Sequence, residues 1–231
     1  MVLAPPESST YDKKQICEDI QVSLSHHPNI LLDCSDTELI DLDSLHDLLT
    51  SAGVLPTEVA VEVMTKIAHS LSHIHSFQLT VGNNLSLESI YIDGQGEVKL
   101  FVPSSVFENA IELFEDQWPV NVSAQSQYGQ MCGPLQEKLE DDIRKLADVF
   151  WQVLYGFEVD PLMELEDWAS SEKVLTGVAV ELLSVRSLLF RMLRAGFPGG
   201  YRDMQSVVID LWELGVVFFP SKQNTRRATT T

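Results

Sequence analysis

Apolar residues recur every three or four positions in several stretches of the chain, which is the spacing that gives a helix one apolar face. The first stretch covers residues 11–25 and ends before a turn signal at His26–Asn29. A short helix is predicted between Asp43, whose side chain can cap it, and Gly53, which tolerates the left-handed backbone of a helix end. The clearest stretch begins at Thr57. Its apolar positions are Val59, Val63, Ile67, Leu71 and Ile74.

Two short runs of β-prone residues, 89–92 and 97–101, flank the sequence Asp93-Gly-Gln-Gly96. Aspartate and glycine are residues that tight hairpin turns favour, so these runs are predicted to pair as a β-hairpin. Ile30–Leu32 is predicted to form a further short extended segment. The β structure expected from the sequence is therefore small.

Three more helices are predicted in the second half of the chain. They follow a segment at 102–133 that is rich in Ser, Asn, Gln and Pro and is expected to be long and partly irregular. A glycine- and proline-rich turn at 196–200 separates the last two helices. The predicted helices cover residues 139–155, 178–195 and 203–214. Together with the hairpin they predict a mainly α, α+β fold.

The chain is long enough to bury the core of one domain, since 45% of its 231 residues are hydrophobic. We place this domain at residues 11–220. Residues 1–10 are rich in Pro, Ser and Thr, residues 221–231 have no apolar periodicity, and both are predicted to be mobile tails.

Acidic side chains outnumber basic ones by 34 to 15, which gives a formal net charge of -19. Such a surface repels phosphate backbones and anionic lipid headgroups, so neither nucleic acid nor a membrane is an expected partner. A protein partner with a basic peptide segment fits this charge. Acidity that only keeps the domain soluble is the other interpretation.

The three cysteines share no Cys-x-x-Cys spacing, so neither a disulfide framework nor a zinc site is predicted. The N-terminus has no basic region followed by an apolar run, and no segment approaches the roughly 20 apolar residues of a membrane span. We therefore expect a cytoplasmic protein. His69 and His73 lie four positions apart on one helix, but without an obvious carboxylate or cysteine companion they do not predict a metal site.

Several segments resemble the protein kinase fold, in the order in which that fold uses them. His27-Pro-Asn-Ile30 is similar to the kinase segment that follows the upper-lobe helix, and Ile67–Phe101 to the helix, catalytic loop and magnesium-loop hairpin of the lower lobe. Asp142–Gly156 resembles the central lower-lobe helix, and Leu188–Arg202 the end of the domain. The resemblance covers residues 12–214. It implies a kinase-like C-terminal lobe with a remnant or absent N-terminal β lobe.

The resemblance also places unsuitable residues at the positions that phosphoryl transfer needs. Asn84 occupies the position of the catalytic aspartate, Ser89 that of the magnesium-binding asparagine, and Val102 that of the magnesium-binding aspartate. A valine cannot coordinate a hard cation. No glycine precedes Gly53, so a glycine-rich phosphate loop is absent from the sequence, and no strand lysine is identified. The resemblance therefore implies a pseudokinase without catalytic residues, bound metal or cofactor.

Two further positions match residues with structural roles in the kinase family. Asp142 matches a buried aspartate that accepts hydrogen bonds from the catalytic-loop backbone, and Arg202 matches an arginine that pairs with a glutamate. The position of that glutamate is Leu135 in this chain, and Glu137 is the candidate substitute.

A segment that follows the central helix mixes acidic and apolar side chains, a combination that could hold a basic amphipathic peptide. A solvated loop with its apolar members turned inward is the other interpretation. The candidate partner-binding residues are Glu158, Asp160, Glu164, Glu166, Asp167 and Trp168.

The sequence thus predicts a catalytically inactive kinase-like domain that acts as a protein-interaction scaffold or regulator. It also resembles the kinase non-catalytic C-lobe domain, a peptide-binding module, although residues 12–32 keep a helix that such modules generally lack. The alternative is a truncated or atypical serine/threonine kinase with residual ATP-dependent phosphotransfer through displaced carboxylates such as Asp93 or Glu97. A fragment of a longer kinase-like protein is a third interpretation.

Overall fold

The computed structural model describes residues 13–32, 42–107, 133–156 and 180–218. Its helices are α1 (Lys13–Ser25), α2 (Leu45–Ala52), α3 (Thr57–Ser76), α4 (Gly133–Tyr155), α5 (Val180–Leu193) and α6 (Met204–Phe218). Its strands are β1 (Ile30–Leu32), β2 (Leu42–Ser44), β3 (Ile90–Asp93) and β4 (Val98–Val102). The predicted mainly helical α+β fold is thereby confirmed.

The four strands form one sheet in the order β1-β4-β3-β2. β3 and β4 pair antiparallel, which confirms the predicted hairpin. At its turn the carboxylate of Asp93 accepts the N–H groups of Gln95 and Glu97, each at 2.8 Å. Gly96 adopts a φ of 82° there, a left-handed conformation in which glycine is favoured.

β1 and β2 extend the hairpin on its two sides. β1 pairs parallel with β4, and the N–H of Leu100 donates to the carbonyl of Asn29 at 2.9 Å. β2 pairs antiparallel with β3, which places Asp43 inside a strand. The prediction that Asp43 caps α2 is therefore wrong, because Asp43 pairs within β2 and the helix begins only after Ser44. The cap is Ser44, whose hydroxyl accepts the N–H of Asp47 at 3.0 Å.

α3 packs against α4, α6 and β4 and is the helix around which the core forms. Most of its predicted core positions are buried, namely Val63, Ile67, Leu71 and Ile74. Val59 is instead 44% exposed. The buried side chains of the first turn are Ala60 and Val61, so at its N-terminal end α3 packs through the residues that follow Val59.

The helices of the second half differ from their predicted bounds mainly at their ends. α4 begins at Gly133, well before the predicted start. Its first turns were not predicted because they are largely exposed and carry no apolar pattern ahead of Leu139. α6 continues past the predicted end to Phe218. Most of the segment predicted to be irregular, residues 108–132, lies outside the described residues. None of the helices that the structure describes combines the length and the apolar character needed to cross a membrane.

Candidate functional site

The carboxylate of Asp142 is the point where α3, α4 and the loop after α3 meet. It is completely buried. Its Oδ1 accepts the N–H of Gly82 at 2.7 Å, and its Oδ2 accepts the N–H of Val81 at 2.9 Å. The Nε2 of His75, near the end of α3, lies 2.9 Å from Oδ2. A buried carboxylate needs such donors, so this arrangement holds the start of the loop in one position.

The part of His75 in this junction was not predicted from the sequence. A histidine near the end of a helix commonly contacts the free carbonyls there, and the sequence contains nothing that points to another partner. His75 instead pairs with Asp142, which lies far from it in the chain. The spacing of apolar residues contains no signal for such a long-range pair. Only the joint match of Asp142 and the preceding helix to the kinase pattern could have indicated it.

The loop fixed by Asp142 carries two of the three positions that the resemblance in sequence assigns to kinase catalytic residues. The amide of Asn84 is exposed, and its Nδ2 donates to the carbonyl of Val81 at 3.1 Å. The hydroxyl of Ser89 is buried and reciprocally bonded to Ser86, since it accepts the Ser86 N–H at 3.0 Å and donates to the Ser86 carbonyl at 2.9 Å. Both side chains therefore stabilise the loop on which they lie.

The third position, Val102, ends β4 and is fully buried in the core. An isopropyl group in that place offers no ligand to a magnesium ion. Among the residues that the structure describes, no group of three or more histidine, cysteine or acidic side chains is arranged to hold a metal ion.

The displaced carboxylates considered for residual catalysis lie at the far end of the hairpin. Hydrogen bonds from the turn backbone, first from Glu97, lower the pKa of Asp93. The carboxylate of Glu97 itself lies 3.3 Å from the ammonium of Lys66 on α3. Both groups therefore have roles in fixing the turn.

A groove of about 630 Å³ runs between α2, the loop and α4, and it was not predicted because its lining comes from three separate segments. Its apolar side chains include Leu49, Val54 and Val149, and its acidic ones are Glu88 and Asp148. A hydrogen bond from the Ser86 side chain is the main cause that lowers the pKa of Glu88, which is therefore ionised at neutral pH. The groove thus combines apolar contact area with negative charge.

Arg202 lies in the turn between α5 and α6 and pairs with a residue other than the one proposed. Its Nη1 is 3.6 Å from Oε1 of Glu140, a buried carboxylate that also accepts the amide of Gln136 at 2.9 Å. Glu137, one turn earlier on α4, was the candidate partner. The Gln136 amide further donates to the Arg202 carbonyl at 2.8 Å. These contacts tie α4 to the α5–α6 turn.

The candidate partner-binding segment cannot be placed against this groove. Its residues lie outside the described part of the chain. They are Glu158, Asp160, Glu164, Glu166, Asp167 and Trp168.

No protein-family model matches the sequence, and no curated protein is significantly similar to it. Solved structures are similar in fold. A pseudokinase mutant of Neurospora crassa PAN3 matches at 13% identity with a TM-score of 0.52, over 80% of this chain and 42% of that one. Rad53 1-466 in complex with AMP-PNP matches at 15% identity with a TM-score of 0.56, over 87% and 54%. A double mutant of the Mycobacterium tuberculosis PknI kinase domain matches at 15% identity with a TM-score of 0.52, over 92% and 83%.

The chain therefore has a protein kinase-like fold with a reduced N-terminal lobe, and the fold predicted by resemblance is confirmed. It spans about half the length of the PAN3 and Rad53 chains. The similar structures include both kinases and a pseudokinase, and at these identities they define the fold alone.

Proposed function

We propose that this domain is a catalytically inactive kinase-like module that binds a protein partner. The observation that carries the proposal is the state of the three catalytic positions. The Ser89 hydroxyl makes two hydrogen bonds to the backbone of Ser86. The Asn84 amide donates to the loop backbone, and Val102 is part of the core. Phosphoryl transfer in this fold depends on oxygen ligands for magnesium and on a carboxylate near the nucleophile. None of these three side chains supplies a carboxylate.

The preserved framework supports an interaction role. Asp142 and His75 keep the loop rigid although the loop has no carboxylate at the catalytic position. A rigid loop that lines a groove is a suitable docking surface, because little conformational entropy is lost when a partner binds. Presence of α1 beside this lobe favours a pseudokinase over the kinase non-catalytic C-lobe type.

The partner that fits this groove is a peptide segment with basic and apolar residues. Glu88 and Asp148 supply negative charge at the groove, and the net charge of -19 steers a basic partner towards the domain. Leu49 and Val54 supply apolar contact. The acidic segment at 158–168 stays a separate candidate for partner binding, from its sequence alone.

Nucleotide binding is tested by thermal unfolding with and without ATP and magnesium. The expected result is no change in the midpoint, since a ligand that binds only the folded state must raise it. An active kinase domain is the positive control. Clear stabilisation, together with phosphate transfer that disappears in Asp93→Ala, would establish the atypical-kinase alternative and refute the proposal.

Partner chemistry is tested by fluorescence anisotropy with a labelled peptide that alternates lysine and leucine, compared with a glutamate–leucine peptide of equal length. We expect at least about tenfold tighter binding of the basic peptide, and a loss of about fivefold to tenfold in the double variant Glu88→Gln, Asp148→Asn. Glu213→Gln, an exposed acid on α6, is the matched control. Equal losses in the double variant and the control would exclude the groove as the binding site.

A further inference from the structure

The ring of His27 stacks on two histidine rings of α3, those of His69 and His73. His27 lies in the turn between α1 and β1, and its ring centroid is 5.5 Å from that of His69 and 5.0 Å from that of His73. Their planes are inclined by 29° and 23°. The edge of His73 also meets the ring of Phe77, at 5.3 Å. His69 and His73 were recognised in the sequence as a pair; the structure adds His27 as the third member.

The hydrogen bonds around His27 define which ring nitrogens carry protons. Its Nδ1 accepts the N–H of Asn29 at 3.2 Å, so its own proton must be on Nε2. That Nε2 lies 3.2 Å from Nδ1 of His69 and donates to it. The ring of His27 is therefore neutral in this arrangement.

A second proton on the ring of His27 has no acceptor within this network. It would have to bind Nδ1, which already faces the N–H of Asn29. A hydrogen bond would then be replaced by two donors that face each other, which is unfavourable at this partly buried ring.

The charged and titratable groups around His27 act in the same direction. They are His69 and His73 from α3 and Lys99 from β4, whose ammonium donates to the carbonyl of Pro28. Positive charge on any of these neighbours opposes a proton on His27. Burial, followed by the effects of His73, His69 and Lys99, lowers the pKa of His27 to about 4 from its ordinary value of 6.5.

The turn held by this cluster is also the attachment point of the first strand. The side-chain amide of Asn29 donates to the carbonyl of Val98 at 2.8 Å. The backbone carbonyl of Asn29 accepts the hydroxyl of Ser70 at 3.1 Å and the N–H of Leu100 at 2.9 Å. Displacement of His27 would therefore disturb the position of α1 and the pairing of β1 with β4.

We propose that His27, His69 and His73 form a proton-sensitive latch, which holds the α1–β1 turn on α3 at neutral pH and releases it in mildly acidic conditions. The sign follows from linkage. An unfolded or detached His27 takes up a proton near pH 6.5, whereas the docked ring resists protonation until about pH 4. The stabilisation is therefore complete above about pH 6.5 and is lost as the pH falls from there towards 4.

Hydrogen–deuterium exchange at pH 7.5 and pH 5, corrected for the intrinsic pH dependence of exchange, tests the latch on the full chain. We expect residues 24–32 to lose at least about tenfold more protection at pH 5 than the α3–α4 core does. His27→Phe can stack but cannot be protonated, and this difference should disappear in it. His26→Phe, at the exposed neighbouring residue, should retain the wild-type pH response.

A histidine NMR titration of the wild-type chain keeps the test decisive if His27→Phe folds poorly. The latch requires that the ring of His27 stays neutral below pH 6 and becomes protonated together with the loss of protection at residues 24–32. Titration of His27 near 6.5 with unchanged protection would refute the proposal, as would an equal loss of protection over the whole fold. A basic peptide that still binds the groove in either case would leave the proposed function unaffected.

Discussion

The imidazole of His75 and the carboxylate of Asp142 lie 2.9 Å apart, and each side chain is at most 10% exposed. The same carboxylate accepts two backbone N–H groups of the following loop. One buried anion thus connects the end of α3, the loop and the middle of α4. In this kinase-like fold the junction therefore fixes the position of the loop that follows α3.

This junction predicts a large effect of Asp142→Asn on stability. The amide replaces one acceptor oxygen by a donor, so either Val81 or Gly82 would face an N–H group in a buried site. We expect the free energy of unfolding to fall by about 2–4 kcal/mol, the cost of an unsatisfied group in a charge-assisted network. Urea unfolding measures it. Asp141→Asn, at the exposed adjacent residue, should cost less than about 0.5 kcal/mol, and similar costs for the two variants would contradict this account.

Restoration of the kinase aspartate at Val102 is predicted to unfold the domain rather than to activate it. The side chain is fully buried, so Val102→Asp places a carboxylate among apolar groups. We expect a loss of about 3–5 kcal/mol in urea unfolding, with no recovery when magnesium and ATP are added. Val59→Asp introduces the same change at a position that is 44% exposed and should cost about 1 kcal/mol or less. Magnesium-dependent recovery of Val102→Asp would indicate a retained metal site.

The elements that sequence reasoning identified best are those whose signal is local. The hairpin turn at Asp93 and the helix end at Gly53 were predicted because the residues themselves favour those conformations. β2 was missed because three residues carry too little pattern to distinguish a strand from a helix cap. The groove and the role of His75 were missed for another reason: both depend on side chains that only the tertiary fold brings together.

The turn between α5 and α6 contains a glycine that the fold cannot replace. A Cβ atom at Gly200 would lie 1.8 Å from the carbonyl oxygen of Arg194, well inside van der Waals contact with a rigid backbone group. Gly200→Ala should therefore shift the turn and destabilise the domain by about 2–4 kcal/mol. Gly215→Ala, where a Cβ meets nothing within 4 Å inside α6, should be neutral or stabilising by up to about 1 kcal/mol. Thermal unfolding of both variants compares them directly, and an equal shift in midpoint would show that the close approach is relieved at no cost.

Tyr201 predicts a loss of stability at alkaline pH. Its ring is 2% exposed, its hydroxyl donates to Asp210, and the guanidinium of Arg191 lies 4.1 Å from the ring centroid. Burial is the main cause that raises the pKa of Tyr201, and the hydrogen bond and charge of Asp210 raise it further. In the unfolded chain this tyrosine ionises near pH 10, whereas in the folded domain it stays neutral to higher pH. The folded state therefore binds more protons above pH 10, and its stability falls as the pH rises.

Urea unfolding between pH 8 and pH 11 tests the role of Tyr201 in this alkaline decline. Tyr201→Phe should lower stability at pH 8 by about 1 kcal/mol, because the partly exposed carboxylate of Asp210 loses a donor, and should flatten the decline above pH 10. Tyr91→Phe, at a partly exposed position on β3, should leave the slope unchanged. Since the slope reports the difference in bound protons between the two states, a Tyr201→Phe variant with the wild-type slope would assign the decline to other groups. For a titrating tyrosine, the free energy of unfolding of Tyr201→Phe should be lower at pH 8 and should fall less steeply above pH 10. A simple packing defect would lower the free energy of unfolding equally at every pH, without a change in slope.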